Sequence, residues 1–94
     1  MKKYVYLEKG DGVLIAHHMT AINRQEVKEK TGACIDNIYS NDLLIKVNNW
    51  LGRNGKTLCF SDKFEVVINS KNDRIHYITS FVEFRNIVSE YRER

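Results

Sequence analysis

The chain has no proline, only two cysteines and no long hydrophobic run. A membrane-spanning helix needs about 20 mostly apolar residues in succession, whereas the apolar run at residues 13–16 has the length of a strand. Charged residues and glycine interrupt the basic start of the chain before the core of a signal peptide could form, so we expect a cytoplasmic protein without membrane contact. In that compartment Cys34 and Cys59 are expected to be reduced residues of the core.

Sequence patterns that carry catalysis or hold metals are also missing. No cysteines or histidines stand at zinc-ligand spacing, and the neighbouring His17 and His18 would point to opposite faces of a strand. Cys34 has no histidine close to it in sequence, and the segments GDG and GRNG are hairpin turns rather than phosphate-binding loops. We therefore expect no catalytic residues, no metal and no cofactor, and a protein that acts by binding rather than as an enzyme.

The composition that remains is that of an ordinary globular protein. The 94 residues are 43% hydrophobic and 29% charged, a length and balance typical of one domain, which we expect to span residues 1–94. There are no internal repeats and no linker segments. The formal net charge of +3 permits nucleic-acid binding but does not require it.

The first third of the chain predicts a hairpin followed by a short helix. KKYVYLE and VLIAHHM are two strand patterns separated by the turn residues KGDG. Asn23 can cap a helix that starts after it, and Glu26 stands at the capping-box position three residues later. Together they predict a helix over residues 24–31, which the following glycine ends.

A second helix is predicted from the spacing of apolar residues between positions 35 and 51. They recur at intervals of three and four residues, which indicates one face of a helix that starts near Asp36. A strand through residues 43–47 is the alternative, because short apolar runs are ambiguous by period. The length of the pattern favours the helix.

The last part of the chain predicts three strands and a closing helix. The pair Asn54-Gly55 indicates a tight turn. The strand patterns that follow are TLCFS, KFEVVIN and RIHYIT. Ser80 and Glu83 form a capping box at the start of the final helix. The resulting order β-β-α-α-β-β-β-α describes an α+β fold with an antiparallel sheet.

The segment RQEVKEKTGACIDNIY resembles the helix-turn-helix of bacterial and phage regulators. In that resemblance Gly32 opens the turn and Ile38 packs the second helix onto the first. With the hairpin KFEVVINSKNDRIHYIT, about half of the chain is similar to small winged helix-turn-helix proteins such as repressors and excisionases. The resemblance implies duplex DNA as the partner, transcription regulation as the function and a homodimer in which the closing helix is a candidate seam.

The same resemblance assigns site residues. Asn37, Ser40 and Asn41 would face base edges from the second helix. Phosphates would be contacted by cations of that helix and of the hairpin tips, namely Lys46, Arg53, Lys56, Lys71 and Arg74. The last two would form the wing at the turn over residues 69–73. This interpretation requires residues 36–41 to be helical, because a loop there would remove the reading helix.

A protein partner is the second hypothesis. Tyr4 and Tyr6 share one face of the first strand with charged neighbours, and amphipathic aromatic side chains beside charge suit a protein interface. A phage-encoded inhibitor of a host or defence enzyme would be one example. The alternative for these two tyrosines is that they cover one side of the sheet.

Overall fold

The computed structural model describes residues 1–72 and 74–93. These residues form two antiparallel sheets of three strands each and three helices, which confirms the α+β fold and the predicted element order. One short strand between the first two helices is added to that order. Asp73, in the predicted wing turn, lies outside the described residues.

The first sheet is built on the predicted hairpin. Strands β1 (Lys2–Lys9) and β2 (Leu14–Ala21) pair antiparallel, with Lys9 opposite Leu14 at the turn. The added strand β3 (Ile38–Ser40) pairs with the other edge of β1, so the strand order is β2-β1-β3.

Helix α1 (Arg24–Thr31) has the predicted bounds and the predicted caps. The Asn23 side-chain oxygen accepts a hydrogen bond from the amide of Glu26 at 2.9 Å. At the other end Gly32 has φ of 77°, the left-handed conformation, and its amide donates to the carbonyl oxygen of Lys28 at 2.8 Å. A side chain at this φ would be strained, which explains why glycine ends the helix.

The prediction that the second helix starts near Asp36 is wrong. Residues 35–37 form a single 3-10 turn, residues 38–40 are β3, and helix α2 spans Asn41–Arg53. The Ser40 hydroxyl accepts from the amide of Leu43 at 3.1 Å and so caps the helix. Residues 43–47 are helical, as the length of the pattern indicated, and not a strand.

The second sheet contains strands β4 (Lys56–Phe60), β5 (Val66–Ser70) and β6 (Ile75–Tyr77), in that spatial order. β5 begins three residues later than predicted because residues 61–65 form a turn. The Ser61 hydroxyl accepts from the amides of Lys63 and Glu65 at 3.2 and 3.1 Å, and these hydrogen bonds hold the turn closed.

Helix α3 (Phe81–Arg92) opens with the predicted capping box, in which the Ser80 hydroxyl accepts from the amide of Glu83 at 3.1 Å. The Glu83 carboxylate in turn accepts from the amide of Thr79 at 3.2 Å and contacts the His76 ring. Burial acts to raise the pKa of Glu83, but the hydrogen bonds from His76 and Thr79 and the charge of His76 together lower it.

The two sheets are joined through β2 and share one core. The amides of Leu14 and Ala16 donate to the carbonyl oxygens of Ile78 and Phe64, each at 2.9 Å. The main core draws on both sheets, α2 and α3, and its most deeply buried side chains include Val5, Leu14, Val47, Val66, Ile78 and Phe84. The α3 face that was the candidate dimer seam is thus used inside the chain. A smaller cluster lies beneath α1 and contains Tyr4, Ala21, Val27 and Ile38.

Candidate functional site

The three residues predicted to read bases do not form a row on an exposed helix. Asn37 is only 6% exposed and lies in the 3-10 turn. Ser40 ends β3 and uses its hydroxyl as the cap of α2, and Asn41 is the first residue of that helix. Because residues 35–37 form only a single 3-10 turn and residues 38–40 are a strand, the α-helix that the winged-helix interpretation requires over residues 36–41 is not present.

The predicted phosphate contacts, in contrast, are brought together by the fold. Lys46 and Arg53 are exposed and stand seven residues apart on α2, which places them on the same side of the helix. They line a shallow depression of about 150 Å³ together with Asn49, Trp50 and Tyr91. Lys46 and Arg53 therefore lie on the same surface of the protein.

The remaining cations lie at the adjoining hairpin end. Lys56 and Lys71 line a second depression, of about 280 Å³, whose wall includes Gly52, the residue before Arg53. A Cβ atom at Gly55 would lie 3.1 Å from the side chain of Lys71, so the lysine packs directly over that glycine. The carbonyl oxygen of Arg74 accepts from the amide of Ser70 at 2.9 Å, which places Arg74 at the same hairpin end.

We refer to Lys46, Arg53, Lys56, Lys71 and Arg74 as the basic end. Within residues 1–72 and 74–93, the ion-pair contacts below 4.0 Å are those of His17 with Glu8 and of His76 with Glu83. No carboxylate of the described chain therefore neutralises the basic end at close range. Glu83 and Glu90 line a further depression together with Lys56 and partly offset its charge, whereas the depressions lined by Lys46, Arg53 and Lys71 include no described carboxylate.

Tyr4 and Tyr6 do not form an exposed aromatic surface. Tyr4 is 5% exposed and belongs to the cluster beneath α1. Tyr6 is half-buried and stacks on His17 with ring centroids 4.9 Å apart. The two side chains cover one face of the first sheet, as the alternative interpretation stated.

The cysteines and histidines are dispersed. Both cysteines are free thiols, and Cys34 is exposed rather than a residue of the core, because it lies in the loop after α1. In the part of the chain that the structure describes, no three side chains of His, Cys, Asp or Glu are grouped closely enough to hold a metal ion. None of the described helices is long and apolar enough to cross a membrane.

Sequence reasoning missed a second cationic site, in a cleft of about 380 Å³ between α1, the start of α2 and α3. Three arginines line this cleft, Arg24, Arg85 and Arg92, together with the phenol of Tyr39. We refer to it as the arginine cleft. The spacing of Arg85 and Arg92 on α3 was visible in the sequence, but only the fold adds Arg24 from 61 positions earlier in the chain.

Comparisons with protein-family models, with curated proteins and with solved structures gave no match to this chain. Function is therefore inferred from the two cationic sites and from the remaining exposed surface. The basic end carries the residues that the sequence had already indicated. The arginine cleft is a feature of the three-dimensional structure.

Proposed function

We propose that the protein binds nucleic acid through phosphate contacts made by the basic end, without a helix that reads bases. The observation that carries the proposal is the gathering of five exposed cations around the C-terminal end of α2 and the adjoining hairpin ends. No described carboxylate lies within 4.0 Å of them. Neutralisation of phosphates by lysine and arginine supplies nearly all of the affinity in sequence-independent binding.

The spacing of the cations suits a phosphate backbone. Lys46 and Arg53 are separated by seven residues of helix, or about 10 Å along its axis at about 1.5 Å per residue. Phosphates of one DNA strand follow each other at about 3.4 Å along the duplex axis, so the two side chains can reach phosphates about three steps apart. Since Asn37, Ser40 and Asn41 lie at the other end of α2 or before it, we expect little preference for sequence.

The proposal is tested by the affinity of the full chain for a short labelled DNA duplex, measured by fluorescence anisotropy. The double substitution Lys71→Ala and Arg74→Ala removes two exposed cations from the hairpin end. We expect weaker binding for every duplex sequence and a salt dependence whose slope is smaller by about 2, one for each lost phosphate contact.

The matched control is the double substitution Lys28→Ala and Lys30→Ala. It removes the same charge from exposed positions on α1, which packs beneath the first sheet rather than at the basic end. This variant should keep the salt dependence of the unmodified chain. An equal loss in both double variants would show that net charge alone matters, and it would contradict a binding site at the basic end.

A protein partner is the second candidate, and a different surface favours it. Ile75 and Tyr77 lie on one face of β6 and are 61% and 46% exposed. Large apolar side chains on a strand at the edge of a sheet suit a protein interface. Affinity capture from a lysate with and without nuclease separates the two candidates, because only a protein partner remains bound after the nucleic acid is degraded.

A further inference from the structure

The arginine cleft combines three features that suit an anion, namely its guanidinium groups, the N-terminal end of α2 and the buried hydroxyl of Tyr39. Its walls come from α1 through Arg24, from the end of β3 and the start of α2 through Ser40, and from α3 through Arg85 and Arg92. The N-terminal end of α2, a helix of 13 residues, borders the cleft, and the peptide dipoles of a helix favour negative charge there. None of the five residues of the basic end lines it.

Tyr39 supplies the most specific of these features. The side chain is 6% exposed, and its ring packs edge-on against Phe84 with centroids 5.0 Å apart. Tyr39 is one of the residues that line the cleft, and its hydroxyl is buried and has no hydrogen-bond partner in the described part of the chain. A buried hydroxyl without a partner costs free energy, and native structures rarely keep one without a reason such as a ligand.

The protonation state of Tyr39 suits donation to an anion. Burial raises the pKa of the phenol, the charges of Arg85, Arg92 and Arg24 act in the opposite direction without cancelling that effect, and the charge of Asp36 adds to the increase. The phenol therefore keeps its proton at neutral pH.

The three arginines of the cleft form no ion pair within the described part of the chain. The guanidinium of Arg24 donates from Nε to the carbonyl oxygen of Ile38 at 3.1 Å and also donates to that of Ile35, which fixes its position. Arg85 and Arg92 are exposed and stand two turns apart on α3. Asp36 is the one carboxylate among the lining residues, so three arginines give the cleft a positive net charge.

We propose that the arginine cleft binds the phosphoryl group of a small molecule, with the three guanidinium groups and the Tyr39 hydroxyl around it. Arginine binds phosphate oxygens in a forked geometry that suits this role. The cleft, at about 380 Å³, leaves room beyond the phosphoryl group, and Ile38, Leu43 and Val88 give it an apolar wall. A phosphate monoester therefore suits the cleft better than the free ion does.

The test is a titration of the full chain with adenosine monophosphate and, separately, with inorganic phosphate at constant ionic strength, followed by amide chemical shifts. We expect saturable shifts at residues of the cleft for both. Tighter binding of the nucleotide identifies a monoester as the ligand, because its organic part adds contacts with the apolar wall. Equal affinities identify free phosphate as the source of the phosphoryl group.

Three variants separate binding from folding. Tyr39→Phe keeps the ring and removes only the hydroxyl, so it should weaken binding about tenfold while thermal stability stays the same or rises. Arg85→Gln, at an exposed position, should also weaken binding. Arg74→Gln at the basic end is the control and should leave the affinity for adenosine monophosphate unchanged.

The proposal is overturned if neither compound gives saturable shifts, or if Tyr39→Phe binds as tightly as the unmodified chain. The result of the nucleotide titration does not depend on whether the basic end binds DNA. Loss of DNA binding by Lys71→Ala with Arg74→Ala would leave binding of the nucleotide in place, and failure of the cleft would leave the DNA experiment unaffected.

Discussion

Phe64 is the one non-glycine residue with positive φ in the part of the chain that the structure describes. Its φ is 63°, and its side chain is 56% exposed. The backbone on both sides is held in place, because the amide donates to the carbonyl oxygen of Ser61 at 2.8 Å and the carbonyl oxygen accepts from Ala16 at 2.9 Å. The turn before β5 therefore forces a bulky residue into a conformation that favours glycine.

This strain predicts which of two variants at position 64 has the larger free energy of unfolding. Phe64→Gly and Phe64→Ala both remove the ring, but alanine retains a left-handed cost of about 1–2 kcal/mol, against which glycine loses about 0.5–1 kcal/mol of extra chain entropy. The glycine variant should therefore have the larger free energy of unfolding, by up to about 1.5 kcal/mol, in urea denaturation. An alanine variant with the larger free energy of unfolding would show that Phe64 is not strained.

At the scale of elements, the ends of helices could be predicted from the sequence wherever local capping signals alone determine them. Asn23 with Gly32 defined both ends of α1, and Ser80 defined the start of α3. The start of α2 could not be predicted in this way, since the apolar spacing continues through residues 35–39. Those residues are instead drawn into pairing with β1, a contact between distant parts of the chain, and Ser40 then caps the helix.

Helix α2 also protects one edge of the second sheet, through a single side chain. Asn48 accepts a hydrogen bond from the amide of Leu58 at 2.8 Å, and Leu58 is 8% exposed. Asn48→Ala leaves this backbone amide buried without a partner, which should lower the free energy of unfolding by about 1–3 kcal/mol. Asn49→Ala, at the exposed neighbouring position, should change it by less than about 0.5 kcal/mol, and equal effects of the two would contradict this role of Asn48.

At the scale of the whole molecule, cationic residues could be chosen from the sequence but their grouping could not. The five cations of the basic end were predicted because they follow helix and turn signals that are local in sequence. The arginine cleft joins residues of α1 and α3 and needs the complete packing of the chain. The role of Tyr39 could not be predicted, because the sequence does not show whether the hydroxyl of a tyrosine in an apolar pattern has a hydrogen-bond partner.

The most direct test of the proposed function is the salt dependence of duplex DNA binding by the unmodified chain. Five phosphate contacts predict that the logarithm of the association constant falls with the logarithm of the salt concentration with a slope of about −4.5, or about −0.9 for each contact. Binding should then weaken by more than a hundredfold between about 50 and 200 mM salt. A slope shallower than about −1, or no complex at the lowest salt, would contradict nucleic-acid binding by the basic end.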